Sequence, residues 1–419
     1  MALRTAAATA LTILLAALPL LQPLDDQPAR QHDLRQIARV IEQHEWALRQ
    51  SPRRMAAFRR LAAHDVRLAA QPMPDWRYFG LAASLIASVG NPHTLIWPDT
   101  EERDYLPLSF YWASDGLVTV PVAGSPKAVG LGDRVLAIGG RTPAALARAL
   151  GRYTPGSGYD VRFTATEFSL LAARYSLQWL GVVDRQGQVP ITLADAHDRV
   201  EHLRLPFVDW PDYPERVGLA QAFFVDRFIA PPGVPVTMAP YGWRVVPRRY
   251  GVFWLRSFDP SRALDRSIAG FFAAVGRGNP PDVVIDLQQD TGGDAYIGQA
   301  FIDELLARQN VSRRVYVLTD WGSFSASVLF AETVLEDGIG QTVGQPTGED
   351  LEVQGAQDFT EPETGIWFQS AVTEPMDPLG REAGALYPSI RVPLTVRDIQ
   401  DGVNAVADWL ATLGAKAAH

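Results

Sequence analysis

The chain has 419 residues, of which 47% are hydrophobic and 20% charged, so it is globular rather than disordered or largely membrane-embedded. At about 150 residues per domain it has room for two or three domains. Its net charge of −9, without any Lys/Arg run, argues against a nucleic-acid or anionic-membrane partner, and the absence of cysteine excludes disulfides, thiolate catalysis, Cys-ligated zinc and iron–sulfur clusters.

At the N-terminus Arg4 precedes an uncharged, Ala/Leu-rich run from Thr5 to Pro23, closed by Asp25 and Asp26. This is the anatomy of a secretory signal over 1–24, and it predicts an exported chain, periplasmic or extracellular. The run also approaches the ~20 residues that span a bilayer, so an uncleaved segment would anchor the chain to a membrane.

From 33 to 88 the apolar spacing is helical: Ile37, Val40, Ile41 and Leu48, then Met55, Phe58, Leu61 and Val66. This predicts an N-terminal helical domain over 25–100. Next come short strands at 108–111, 117–122 and 135–138, a Gly139-Gly140 turn and a helix at 144–150, together a small module over 101–152. Residues 153–239 read as a strand-rich, Pro-rich connecting region. From Tyr250 strands and helices alternate: strands at 251–255, 283–287 and 315–319, and helices around Ile268–Val275, 297–307 and 326–335. That rhythm predicts an α/β core over 240–419, closed by one amphipathic helix at 398–413.

Three segments could carry chemistry. The strand containing Asp286 runs into Gly292-Gly293, where glycine lets amides turn outward and a helix start adds positive partial charge. The strand at 315–319 runs into Ser323, Ser325 and Ser327, where a serine could be exposed at a strand-to-helix elbow or could simply cap the helix. His93 lies in the Gly/Pro-punctuated loop Ser88–Thr94; a lone loop histidine is ordinarily polar surface. The seven histidines show no HExxH spacing, and no metal or organic cofactor is implied.

In this order the segments resemble the tail-specific (C-terminal processing) serine protease superfamily, peptidase family S41, which includes the tricorn core. Asn91-Pro92-His93-Thr94 is similar to its DGHT-type segment, and Gly130 to Gly140 to its PDZ-type G-D-x-V-L-x-I-x-G turn. Asp286 to Gly293 is similar to DLRxNxGG, Phe324 to Ser327 to the serine elbow, and Glu382 to Ile390 to E-G-x-G-V-x-P-D-I. The resemblance runs from about Ala87 to Leu413. It implies a ClpP/crotonase-like α/β catalytic core, with an N-terminal helical domain and a reduced PDZ-like module able to receive a peptide C-terminus by β-augmentation.

One branch of the family pairs serine with a lysine in a T-F-G-K-G-type loop. Here that loop is Pro346 to Leu351, without lysine, and the only lysines are Lys127 and Lys416. The resemblance therefore points to the tricorn-like Ser–His–Glu branch: Ser325 as nucleophile, His93 as general base and Glu382 as orienting carboxylate. The Ala326 amide, with Gly292 or Gly293, would form the oxyanion hole. Glu349 is the alternative carboxylate, if it is not a solvated loop charge. Peptides or unfolded proteins are the implied substrates; no oligomeric state is indicated. Asn91-Pro92, Gln288, Val328 and Ser389 depart from the family pattern. They leave room for a catalytically degenerate binding protein on this fold; the other rivals are an esterase-type hydrolase using the same triad and a CoA-dependent crotonase relative, the last disfavoured by export and by the serine elbow.

Overall fold

The helical pattern near the N-terminus is realised as helices Gln27–His44, Trp46–Arg49, Pro52–Leu68 and Asp75–Ala87. Ser51 caps the third by accepting the Arg54 N–H at 3.3 Å, and Pro52 sits at its first position, where an N–H would be unsatisfied anyway. Leu34, Ile37, Ile41, Leu85 and Ile86 are buried along the inner faces. The computed structural model describes residues 27–97, 104–156, 158–232, 240–307, 313–349, 354–375 and 384–414. The 1–24 segment lies outside these residues. Among the described residues no helix is long and apolar enough to cross a membrane.

The chain divides into two compact units. The first joins residues up to 101 with 151–155 and 354–374. Its helices are completed by a three-stranded antiparallel sheet in which Trp367–Ala371 lies between Leu95–Ile96 and Ala356–Thr360. The buried Asp33 carboxylate accepts the Thr364 N–H at 2.7 Å and so ties the first helix to this distant hairpin.

The second unit contains the α/β layer. Its six-stranded sheet runs Ile390–Arg391, Gln341–Gly344, Arg314–Thr319, Asp282–Asp286, Tyr250–Leu255, Tyr241–Val246. All neighbours are parallel except the last pair. Asp282–Asp286 is wholly buried, as a parallel strand covered on both faces must be. Phe253, Phe271, Phe272, Phe301 and Phe330 pack on one face beneath helices Arg262–Gly278, Ala295–Ala307 and Ala326–Glu336, while Val406, Leu410 and Leu413 cover the other.

A five-stranded antiparallel sheet, Ser109–Ala113, Gly116–Val120, Arg134–Ile138, Gln188–Ala194 and Val200–Pro206, belongs to the same unit. Gly139 and Gly140 both take positive φ in the turn after its third strand. The Trp321 indole donates to the Trp112 carbonyl at 2.8 Å and ties this sheet to the serine loop.

Two expectations change. The stretch 153–239 is not simply strand-rich, for it contains helices Gly158–Glu167, Arg174–Trp179 and Tyr213–Phe228. The tail is not one helix. Thr395 and Asp398 form a capping box on Val396–Asp401, Gly402 turns left-handed at φ 73°, and Asn404 caps a new helix, Ala405–Ala411. The apolar period alone does not reveal a break whose cap and glycine keep the same face inward.

Candidate active site

Ser325 ends the loop after Arg314–Thr319 and immediately precedes helix Ala326–Glu336. Its backbone has φ 56° and ψ −121°, a region that costs a non-glycine residue of order 1–3 kcal/mol. Its side chain makes no capping bond. Capping therefore does not explain this serine.

The neighbouring serines have other work. Ser323 Oγ accepts the Asp320 N–H at 3.1 Å and donates to the Leu287 carbonyl at 2.8 Å. Ser327 Oγ donates to the Asp290 carbonyl at 3.1 Å. Contacts on both sides hold the strained elbow. Phe324 N–H donates to the Asp290 carbonyl at 2.9 Å, and Ser325 N–H donates to Glu349 Oε2. The Phe324 ring stacks on Phe163, with centroids 4.3 Å apart.

Glu349 is thus no solvated loop charge: it is 1% exposed and lies on the Ser325 amide. The loop that carries it is fixed by Thr347, whose Oγ1 donates to the Glu349 carbonyl at 3.0 Å and accepts the Leu386 N–H at 2.9 Å.

The two glycines differ. A Cβ on Gly292 would come within 2.5 Å of Ser325 Cβ and 3.0 Å of Ala326 N, so only glycine allows this approach. The Gly292 N–H already donates to Asp290 Oδ1 at 2.8 Å, and its carbonyl accepts the Phe258 N–H at 2.7 Å. Of the two expected oxyanion donors, Gly292 is therefore committed elsewhere. Among the described residues, the Gly293 and Ala326 amides have no such acceptor.

Beneath the loop lie buried acids. Arg256 pairs with Asp286 at 2.6 Å. Burial pushes Asp290 up to about 7, against the opposing pull of the Gly292 N–H, the Ser327 hydroxyl and Arg256. Burial likewise raises Asp320 to about 6, although it accepts from the Gln289 backbone and side chain and from Gly322 N–H. The departing residues are accommodated: Val328 is core, and Ser389 N–H donates to Thr342 Oγ1 at 3.0 Å.

His93 belongs to the first unit. Its Nδ1 lies 2.6 Å from the Gln354 carbonyl, which can only accept, so the proton is on Nδ1 and the lone pair on Nε2. Asn91 Oδ1 accepts the His93 N–H at 2.9 Å, while the buried Glu45 accepts from Asn91 Nδ2 at 3.2 Å and Thr94 Oγ1 at 2.7 Å. Burial lowers the imidazole's pKa to about 4. This histidine is thus fixed and buried, not loop surface. The acceptor on Nδ1 is a backbone carbonyl, which no side-chain pattern reveals. Glu382 lies outside the described residues. Among the described residues no group of His, Asp or Glu could hold a metal ion.

Residues 249–382 match the model of peptidase family S41. No curated protein matches the chain. Among solved structures it is similar to mature CPAF complexed with lactacystin, at 13% identity and a TM-score of 0.65, covering 92% of this chain and 97% of that one. A second structure of mature CPAF gives 13% identity and a TM-score of 0.64 over 92% and 96% of the two chains. At such identity the likeness shows the fold. The family match makes the 249–382 segment that of a serine-type peptidase, a hydrolase.

Proposed function

We propose that this chain hydrolyses peptide bonds in peptides or unfolded proteins through an acyl-enzyme on Ser325. The observation that carries the reading is the strained, uncapped serine elbow pressed against Gly292, which closes on both Ser325 and the Ala326 amide. A serine hydroxyl needs an adjacent base, and His93 is the proposed one, because the Gln354 carbonyl on Nδ1 puts the lone pair on Nε2. That pairing rests on the order of the motifs. Nε2 would take the Ser325 proton during attack and return it to the leaving amine. Gly293 and Ala326 N–H would receive the oxyanion, each such donor being worth roughly 3–4 kcal/mol in the transition state. Glu382 is proposed to stabilise the charged imidazolium, the fixing of the tautomer falling to Gln354. The antiparallel sheet containing Gly130–Gly140 is proposed as a PDZ-like module, and export is proposed from the uncharged segment following Arg4.

A fluorophosphonate probe followed by peptide mapping tests the nucleophile. Labelling is expected at Ser325, and Ser325→Ala is expected to lose at least about a thousandfold in turnover with little change in thermal unfolding. Full activity in that variant would discard the assignment. Turnover of p-nitrophenyl esters without cleavage of any unfolded protein would favour an esterase instead, and neither labelling nor turnover would leave a binding protein.

A further inference from the structure

Asp290 is fully buried two residues before Gly292, and its surroundings explain it poorly as a mere turn residue. The nearby guanidinium of Arg256 is paired with Asp286 at 2.6 Å. Among the described residues, Asp290 Oδ2 has no hydrogen-bond partner, so a charge-capable group is kept in the core at a cost.

Its three contacts suggest what offsets that cost. Oδ1 accepts the Gly292 N–H at 2.8 Å. The carbonyl of the same residue accepts the Phe324 N–H at 2.9 Å and the Ser327 hydroxyl at 3.1 Å, one on each side of Ser325. One residue thus links the glycine turn after strand Asp282–Asp286 to the serine elbow after strand Arg314–Thr319.

We propose that Asp290 is a positioning residue for the oxyanion hole: it pins the Gly292 peptide so that the following amide, Gly293 N–H, is held in register with Ala326 N–H. This rests on the serine-peptidase reading. The pinning needs an acceptor oxygen rather than a charge, because a carboxylate, a neutral carboxylic acid and a primary amide all offer one to the Gly292 N–H. The link also explains the glycine pair chemically: Gly292 supplies the close approach to Ser325, and Gly293 supplies the donor.

The test uses the full chain, p-nitrophenyl acetate as substrate and a fluorophosphonate to count reactive sites. Asp290→Ala is expected to lower kcat per labelled site by about tenfold or more, with KM little changed, because the missing contribution is to the oxyanion. Asp290→Asn, which keeps the acceptor, is expected to recover most of that loss. Asp290→Leu, which fills the space without offering an acceptor, carries the alanine expectation if a cavity prevents folding. Amide hydrogen exchange at Gly292 is expected to accelerate in the alanine or leucine variant and to stay slow in the asparagine variant. Wild-type kcat per site in the acceptor-free variants, or an asparagine variant as impaired as they are, would overturn the proposal. A wild-type chain that neither labels nor turns over would end the peptidase reading. The exchange measurement would then decide the Asp290–Gly292 link: faster exchange without the acceptor upholds it, and unchanged exchange removes it.

Discussion

The imidazole of His93 sets the residue-scale prediction. A histidine base with an ordinary pKa of ~6.5 would lose activity just below neutrality. Burial lowers this one to about 4, so its neutral, basic form persists into acid. With the sign worked through, kcat/KM is expected to hold as pH falls from 7 to 5 and to drop only near 4, measured with a substrate that does not titrate there. A midpoint close to 6.5 would show that the group responsible is not buried as His93 is. At this scale the sequence was informative about chemistry and silent about support. Ser325 and His93 stand out only through the order of the family-like motifs, because elbow and loop context alone favours a helix cap and polar surface. Gln354 does not stand out, because it contributes only its backbone carbonyl from 261 positions away. Asp290 left a faint trace, an Asx residue two before a glycine, which is a turn signal before it is anything else.

At the scale of elements, strength is concentrated in the aromatic layer beneath the parallel sheet. Phe271 is fully buried and packs edge-on against Phe253 and Phe272. Phe271→Ala is expected to cost about 3–5 kcal/mol in denaturant unfolding, whereas Thr395→Ala, which removes one capping box, is expected to cost about 1 kcal/mol. Equal costs would mean that the layer relaxes around the cavity. Strands Tyr250–Leu255, Asp282–Asp286 and Arg314–Thr319 and the three helices over them were legible because each is a distinct apolar run or stripe bounded by turn or capping residues, whereas strands Tyr241–Val246, Gln341–Gly344 and Ile390–Arg391 were not read. Ser261 and the left-handed Asn279, at φ 41°, bracket helix Arg262–Gly278 in this way. The stretch 153–239 was opaque because its helices are weakly patterned. Gly158–Glu167 has Val161 and Phe163 buried, but threonines and charges interrupt any apolar stripe.

At the scale of the whole molecule, several carboxyl groups are buried without a salt bridge among the described residues. Burial raises Glu361 to about 8, Asp290 to about 7, and Asp65 and Asp320 to about 6. Each folded-state pKa lies above the unfolded value, so the folded chain binds more protons, and stability rises as pH falls through these values. His93 acts in the opposite sense, but only below about 6.5, where the unfolded chain begins to take up its proton. The melting temperature is therefore expected to climb between pH 9 and about 6, measured by calorimetry at constant ionic strength. A flat or falling curve over that range would show that these acids are solvated.

The contact between His93 and Gln354 joins two points far apart along the chain, within a unit whose last segment is residues 354–374. During translation the imidazole emerges 261 residues before its acceptor. On the proposed reading, a nascent or prematurely terminated chain carries the nucleophile without an aligned base. Hydrolytic competence then waits for the segment that begins at residue 354, a delay that would spare the producing cell from a half-made protease.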